Sequence, residues 1–158
     1  MSTDAAQWYA SLPTFLASSA ALITDPAGAV LLVKPNYRPH WGVPGGVLEA
    51  DESPHAGCVR ECAEELGLTL AVGGLLVIDW FPPTPERRGW FGFVFDGGVL
   101  PDGDGIVLQA AELDGFAFVP PAELGSYLPP HIERRMRGAL DAREAGAPAY
   151  LHAGHPAP

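Results

Sequence analysis

The chain has 158 residues, of which 47% are hydrophobic and 18% are charged, as expected for a globular domain with a substantial core. Nine basic and nineteen acidic residues give a net charge of −10. With no basic block present, this balance argues against long nucleic acid as a partner. No segment approaches the roughly 18 apolar residues of a membrane-spanning helix, which argues against a membrane protein.

The length predicts a single domain over residues 1–158, with an N-terminal extension at 1–15 and a C-terminal tail at 147–158. The N-terminus lacks the basic region and apolar run of a signal peptide. Two cysteines, Cys58 and Cys62, lie one helical turn apart; they are too few for a zinc site and poorly placed for a disulfide, so we expect buried packing residues. Together these features predict a cytoplasmic protein.

The first part of the chain alternates apolar runs with turn residues. This pattern predicts a short helix and then two strands joined by the turn Asp25–Gly28. The predicted ranges are 4–12 for the helix and 17–24 and 29–34 for the strands. A loop at 35–40 carries Arg38 and His40, and 41–46 leads into the next helix.

A helix is predicted over 54–66. Ser53 is a favourable N-cap, Pro54 suits the first turn, and Gly67 is a natural residue to follow the last turn. The helical period places four apolar residues in one stripe, which we expect to face the core: Val59, Cys62, Ala63 and Leu66.

The same period places Glu61, Glu64 and Glu65 on the opposite face. Arg60 is the only arginine or lysine nearby, and as a sequence neighbour of Glu61 it is not expected to face it. Like charges at i, i+4 cost roughly 0.2–0.5 kcal/mol, so a cluster without a basic partner is easier to explain if a cation joins it. A purely solvated face is the alternative.

The second half of the chain is rich in short strands. Their irregular alternation with helices predicts an α/β fold with a mixed sheet covered by helices, rather than a doubly wound parallel sheet. The predicted strands are 70–81, 90–95, 106–108, 116–119 and 150–151, with a helical turn at 121–125 and a helix at 130–146. Four residues of that last helix are expected to point inward: Ile132, Met136, Ala139 and Leu140.

The segment from Gly46 to Leu68 resembles the Nudix box, G-x5-E-x7-R-E-U-x-E-E-x-G-U, where U is apolar. The residues that fit are Gly46, Glu52, Arg60, Glu61, Glu64, Glu65, Gly67 and Leu68. Cys62 occupies the first U position, where it packs as a small hydrophobe. The resemblance implies the Nudix fold, an α/β/α sandwich on a mixed sheet, and a pyrophosphohydrolase.

The resemblance also implies a metal site. Glu61, Glu64 and Glu65 would bind Mg²⁺ or Mn²⁺, with the carbonyl of Gly45 completing the site. Glu52 and Arg60 would pair and brace the site, with Gly46 and Gly67 in supporting positions.

The general base stays open between Glu61 and Glu112. Family members often recruit one more acid from a loop, and Glu112 lies in such a loop at 109–115. Asp114 is the competitor for that role. The loop has little apolar pattern, and we expect it to be mobile.

Substrate-binding candidates are few. Arg38, Arg87 and Arg88 could meet a phosphate or a sugar, and Trp41 could stack on a base, although packing in the core is the favoured interpretation of Trp41. Pro83 lies fifteen residues beyond Leu68, which resembles a marker of ADP-ribose-type members.

The predicted function is hydrolysis of the diphosphate linkage of a nucleoside diphosphate joined to another moiety. One alternative is a nucleoside triphosphate pyrophosphohydrolase, and another is a non-catalytic module that senses nucleotides. The predicted partner is a small-molecule nucleotide, with neither a membrane nor long nucleic acid; a homodimer is compatible with the sequence.

Overall fold

The computed structural model describes residues 3–158. The strands are β1 Leu16–Thr24, β2 Val30–Pro35, β3 Gly45–Val47, β4 Leu75–Phe81, β5 Trp90–Val99, β6 Leu113–Val119, β7 Ala149–His152 and β8 His155–Pro156. The α-helices are α1 Thr3–Ser11, α2 Pro54–Leu66 and α3 Pro130–Ala145, and a short 3-10 helix spans Pro121–Ser126.

The strands form one mixed sheet with the order β6-β2-β1-β5-β4-β7-β8, and β3 pairs additionally with β1. β1 runs parallel to β5, and β4 runs parallel to β7, while the other pairs are antiparallel. The predicted α/β class with a mixed sheet is confirmed.

Both faces of the central strands are buried, because a helix covers each side of the sheet. Along β1, Ala21 and Ile23 pack in a cluster with α2, whereas Leu22 between them packs in a second cluster with Met136 of α3. Successive side chains of a strand point to opposite faces, so an unbroken apolar run serves two cores. The result is the three-layer α/β/α arrangement.

Helix α2 has the predicted bounds and caps. The Ser53 hydroxyl accepts the Ala56 N–H at 3.2 Å, and Gly67 ends the helix in a left-handed conformation at φ 64°. Its buried face differs from the predicted stripe, because Cys58 is buried while Ala63 is exposed. The helix is rotated so that Cys58, Cys62 and Leu66 meet the sheet.

The segment predicted as a strand at 106–108 is not one. Its neighbourhood hydrogen-bonds to the end of α2 instead, with the Val107 N–H on the Leu66 carbonyl at 2.8 Å and the Gln109 N–H on the Glu65 carbonyl at 3.1 Å. The last carbonyls of a helix lack partners within the helix, and this segment satisfies two of them.

The observed strand boundaries differ from the predicted ones where the pairing partners are remote in sequence. β4 begins at Leu75 rather than at residue 70, and β5 continues to Val99 because it pairs with β1 along its length. The short β3 had no sequence signal.

The C-terminal residues, predicted as a tail with one short strand at 150–151, form a hairpin on the sheet. β7 pairs with β4, and β8 pairs back on β7 through a turn at Ala153 and Gly154, both with positive φ. At the other end, α1 presents Trp8 and Tyr9 to solvent. The first two residues of the predicted N-terminal extension lie outside the described range. No helix within residues 3–158 is long and apolar enough to cross a membrane.

β1 and β2 diverge beyond the turn that joins them, and this divergence opens a cleft. These strands pair only at Thr24 and Val30, next to the turn that joins them. Farther along, the segment 42–47 lies between them: Gly42 exchanges hydrogen bonds of 2.9 Å with Val33 of β2, and β3 pairs with β1. The separation leaves a cleft above β1.

A buried ion pair fixes α3 to the sheet. Asp79 of β4 is fully buried, and one of its carboxylate oxygens accepts the Arg135 Nε–H at 2.8 Å. Its other oxygen accepts the Gly154 N–H of the C-terminal hairpin at 3.0 Å. One side chain thus joins β4, α3 and the β7–β8 turn.

Asp79→Ala should lower the free energy of unfolding by about 3–5 kcal/mol, because it leaves the Arg135 guanidinium without its buried partner. Urea denaturation followed by circular dichroism measures the loss. The matched control is Glu133→Ala, which removes the more exposed Arg137 pair on the same helix and should cost about 1 kcal/mol or less. Equal losses in the two variants would contradict a structural role for the buried pair.

Candidate active site

A cleft of about 630 Å³ lies over β1, in the size range of small-molecule sites. Its walls are the segment that follows β2, the first turns of α3 and the end of β4. Acidic side chains of α2 and of the loop before β6 also reach it. The cleft therefore collects residues from both halves of the chain.

Two glycines bring the backbone of the 42–47 segment against its neighbours. A Cβ on Gly45, where φ is 151°, would overlap the Ser19 carbonyl and lie 2.6 Å from the Cα of Ala20. A Cβ on Gly46 would overlap the carboxylate of Glu61, 2.6 Å from its carboxyl carbon. Only residues without side chains fit between β1 and the α2 acids.

Glu65 is buried, with 8% of its surface exposed, so the three acids do not all lie on a face opposite the buried stripe, contrary to what the sequence predicts. Its Oε2 accepts the Gly45 N–H at 2.9 Å. Burial raises the pKa of Glu65 to about 7, and Glu61 and Glu112 add to the rise through their charges. The helix rotation that buries Cys58 also turns this acid toward the cleft.

Arg60 contacts the acids for which the sequence predicted no basic partner. It binds Glu52 at 2.6 Å, Glu61 at 2.9 Å and Glu64 at 3.1 Å. The expectation that Arg60 does not face Glu61 is wrong, because the long flexible Arg60 side chain can bend around the helix to the residue that follows it. The hydrogen bond from Arg60 lowers the pKa of Glu52 to about 2, so Glu52 is ionised and ties the loop before α2 to the helix.

The three acids of α2 do not share one environment. Glu61 and Glu65 line the cleft, and burial raises the pKa of Glu61 despite its contact with Arg60. The Glu64 side chain is 48% exposed and lies outside the cleft lining, held by Arg60. Gly67 lies beyond them at the end of the helix, against Val107.

Glu112 lies with Glu61 and Glu65 in the cleft, about fifty residues away along the chain. Asp114 does not line it. The loop that carries Glu112 is anchored rather than free: Gln109 bonds to the end of α2, and the Glu112 carbonyl accepts the Asn36 N–H at 2.9 Å.

The substrate-binding candidates divide into two groups. Arg38, Trp41 and Arg87 line the cleft, whereas Arg88 turns away to the Thr14 hydroxyl. Trp41 also packs against the core and contacts Tyr127 edge-on, with 5.5 Å between ring centroids.

Several cleft residues were missed by sequence reasoning. Phe81, Trp90, His131 and Arg135 all line the cleft. The strand residues looked like core, and the α3 residues looked like the polar face of a helix. No local pattern distinguishes them, because their position follows from how α3 crosses the sheet.

The donor set suits a hard divalent cation in its chemistry. Glu61, Glu65 and Glu112 offer only carboxylate oxygens, the ligands that Mg²⁺ and Mn²⁺ prefer. Burial raises the pKa of Glu61 and of Glu65, and the charges of neighbouring acids raise both further, a cost that a bound cation would relieve. Across residues 3–158, no three acidic, histidine or cysteine side chains are already gathered closely enough to enclose an ion.

Comparisons with known proteins agree with this geometry. The family model described as the NUDIX domain matches residues 14–142. A MutT-like protein of Streptomyces ambofaciens is 30% identical over 144 residues, covering 91% of this chain and 88% of that protein. A Bacillus subtilis (strain 168) protein, provisionally named an 8-oxo-dGTP diphosphatase, is 28% identical over 116 residues, 73% of each chain.

A solved structure of a UDP-X diphosphatase has the same fold. The TM-score is 0.72 at 21% identity, covering 96% of this chain and 75% of that one.

Glu65→Gln should stabilise the metal-free protein at pH 8. The folded pKa is raised above the ordinary 4.5, so the native state binds this proton more tightly than the unfolded chain, and stability falls as pH rises from about 4.5 to about 7. Glutamine does not ionise, so the variant avoids that loss, which is worth about 3 kcal/mol above pH 7.

Denaturation in EDTA at pH 4.5 and pH 8 measures this effect. The matched control is Glu64→Gln on the exposed side of α2, which should show no gain between the two pH values. A Glu65→Gln protein less stable than wild type at pH 8 would contradict the claim that burial raises the pKa of the Glu65 carboxylate.

Proposed function

This chain belongs to the Nudix family of pyrophosphohydrolases, and from that premise we propose that it cleaves the diphosphate linkage of a nucleoside diphosphate joined to another moiety. The oxygen of water would attack one phosphorus, and the bond from that phosphorus to the bridging oxygen would break. The products would be a nucleoside monophosphate and the phosphorylated second moiety, with two protons released when both phosphate groups are fully ionised.

The observation that carries this proposal is the position of the cleft acids between two aromatic walls. The sheet order puts β1 between β2 on one side and β5 and β4 on the other. Tyr37, in the segment after β2, lines one side of the cleft, and Phe81 and Trp90, from β4 and β5, line the other. A substrate with a ring-bearing group on each side of a diphosphate matches this arrangement.

Nudix hydrolases generally use divalent metals, and we propose Mg²⁺ or Mn²⁺ for this one. Glu61, Glu64, Glu65 and the Gly45 carbonyl would hold the ion. When bound, the cation would neutralise charge on the diphosphate oxygens and help to activate water. Because Arg60 already binds Glu61 and Glu64, the cation and Arg60 are alternative counterions for those two acids.

The protein groups have separate proposed roles. Glu112 or Glu61 would accept the proton of the attacking water, since both line the cleft and neither is consumed by a backbone hydrogen bond as Glu65 is. Arg60 would support catalysis by orienting Glu61, and Glu52 and Gly46 would hold the loop and helix in register. Arg38, Trp41 and Arg87 would contact the substrate.

A nucleoside triphosphate pyrophosphohydrolase is the second candidate. The provisional name of the Bacillus subtilis relative favours it. A non-catalytic sensing module is disfavoured, because such a module could lose an acid of the motif and this chain retains Glu61, Glu64 and Glu65.

We further propose that residues 1–158 act as one domain on a small-molecule substrate, with a homodimer as the assembly to test first. The buried cysteines, Cys58 and Cys62, are free thiols. Free thiols agree with a reducing, cytoplasmic setting.

A substrate panel tests the proposal. Purified protein is incubated with ADP-ribose, UDP-glucose, dGTP and 8-oxo-dGTP, with Mg²⁺, with Mn²⁺ or with EDTA, and products are separated by ion-exchange chromatography. We expect nucleoside monophosphate and a sugar phosphate from the diphosphate compounds, with activity lost in EDTA and restored by either cation. Pyrophosphate released only from triphosphates would favour the second candidate, and full activity in EDTA would contradict metal dependence.

Glu112→Gln should lower kcat at least about tenfold, with a smaller change in KM, because the group acts on water or metal rather than on substrate binding. Asp114→Asn is the matched control, two residues away and outside the cleft, and should keep the wild-type rate. Steady-state kinetics on the best panel substrate measures both. An unchanged kcat for Glu112→Gln would assign the base to Glu61.

A further inference from the structure

Three polar side chains gather around one aromatic ring on the α3 side of the cleft. The Arg135 guanidinium lies 5.0 Å from the centroid of the Phe81 ring, and that of Arg87 lies 5.9 Å from it. His131 meets the same ring edge-on at 5.4 Å between centroids. All four residues line the cleft, away from the elements that carry its acids.

Arg135 is held in place by only part of its guanidinium. Its Nε–H donates to the buried Asp79, and the group lies over Gly92, where a Cβ would come within 2.9 Å of Cζ. The two terminal nitrogens have no hydrogen-bond partner within residues 3–158. A planar fork with both ends available is suited to two oxygens of one anion.

Positive charge is in excess at this place. The Arg87 side chain donates only to the carbonyls of Pro82 and Arg88, and it has no acidic partner in the part of the chain that the structure describes. Asp79 is the carboxylate that faces the group, and Arg135 already occupies it. Burial lowers the pKa of His131, and the positive charges of Arg135 and Arg134 lower it further, so the histidine adds a neutral donor or acceptor.

Two guanidinium groups that contact the same ring carry like charges, and an anion that contacts both would offset their repulsion. A contact with an aromatic ring offsets only about 0.5–2 kcal/mol of such a cost. The whole chain carries a net charge of −10, so the excess positive charge around Phe81 is opposite in sign to the charge of the protein.

We infer that Arg87 and Arg135, supported by Phe81 and His131, form an oxyanion subsite for a phosphate or carboxylate on the moiety remote from the cleaved linkage. The preferred substrate is then a nucleoside diphosphate compound whose second moiety carries its own negative charge. The assignment to a substrate rests on the proposed function, whereas anion binding at the subsite does not.

Inorganic phosphate is the direct probe. It is titrated into ¹⁵N-labelled protein in EDTA, and the shifts of the Gly92 amide and of the arginine Nε–H signals are followed. Saturable shifts at both are expected in wild type. Arg87→Gln, which leaves the Asp79 pair intact, should raise the Kd at least about tenfold, and Arg135→Lys should raise it because the lysine lacks the fork.

Arg137→Gln is the matched control, since it removes one positive charge from the same helix outside the cleft. It should leave the phosphate Kd within about twofold of wild type, because exposed charges at a distance are screened. Absent shifts in wild type, or equal weakening in Arg137→Gln and Arg87→Gln, would overturn the subsite. If Arg135→Lys fails to fold, Arg87→Gln decides alone.

Paired substrates test the second step. UDP-glucose is compared with UDP-glucuronate, and NADH with NADPH, because each pair differs by one anionic group. For each pair, kcat/KM of the substrate with the additional anionic group is divided by kcat/KM of the substrate without it. In wild type this ratio should exceed about ten for at least one pair. It should fall toward one in Arg87→Gln and stay at the wild-type value in Arg137→Gln.

The outcomes separate the two proposals. Phosphate binding without hydrolysis of any nucleotide would overturn the proposed function and leave the subsite standing. Hydrolysis without phosphate binding would overturn the subsite. Phosphate binding with equal kcat/KM within both pairs would overturn the substrate assignment and indicate that Arg87 and Arg135 bind the diphosphate itself.

Discussion

The close approach of the Gly45–Gly46 backbone to β1 on one side and to the α2 acids on the other is the constraint on which this site depends. Side chains at either position would overlap the β1 backbone or the Glu61 carboxylate. The approach lets the Gly45 N–H reach Glu65, so a backbone group solvates a buried acid. Burial outweighs this hydrogen bond, so the pKa of Glu65 stays raised.

The cleft contains a group of acids bound by Arg60 and a group of arginines in which Asp79 binds Arg135. In each group some hydrogen-bonding capacity remains unused. Arg60 donates hydrogen bonds to three acids at once, and Glu61 among them still reaches the cleft. Asp79 binds Arg135 through a single nitrogen, and the rest of the guanidinium stays available. In both groups an internal ion pair holds a charged side chain in place without using all of its binding capacity. A cleft that combines carboxylates for cations with guanidinium groups for anions can bind a metal and a phosphate compound together.

Backbone hydrogen bonds connect the parts of the site that lie far apart in sequence. The end of α2 accepts N–H groups from Val107 and Gln109, and Asn36 bonds to Glu112. These contacts bring the loop before β6 to the acids of α2. The loop is therefore anchored by the same carbonyls that every helix leaves without partners at its C-terminal end.

The sequence by itself determined what local chemistry can specify. The bounds of α2 follow from Ser53, Pro54 and Gly67, and the Nudix motif follows from residues spaced along a single helix and its preceding loop. The irregular alternation of short strands with helices likewise predicted a mixed sheet covered by helices.

Only the tertiary structure decided which face of α2 is buried and that Arg60 contacts Glu52, Glu61 and Glu64. It likewise decided that 106–108 binds the end of a helix instead of forming a strand. It also decided that Arg87 enters the cleft while Arg88 leaves it, and that Arg135 belongs to the site at all. Helix rotation, arginine reach and strand pairing are set by contacts between segments remote in sequence. No short pattern in the chain records them.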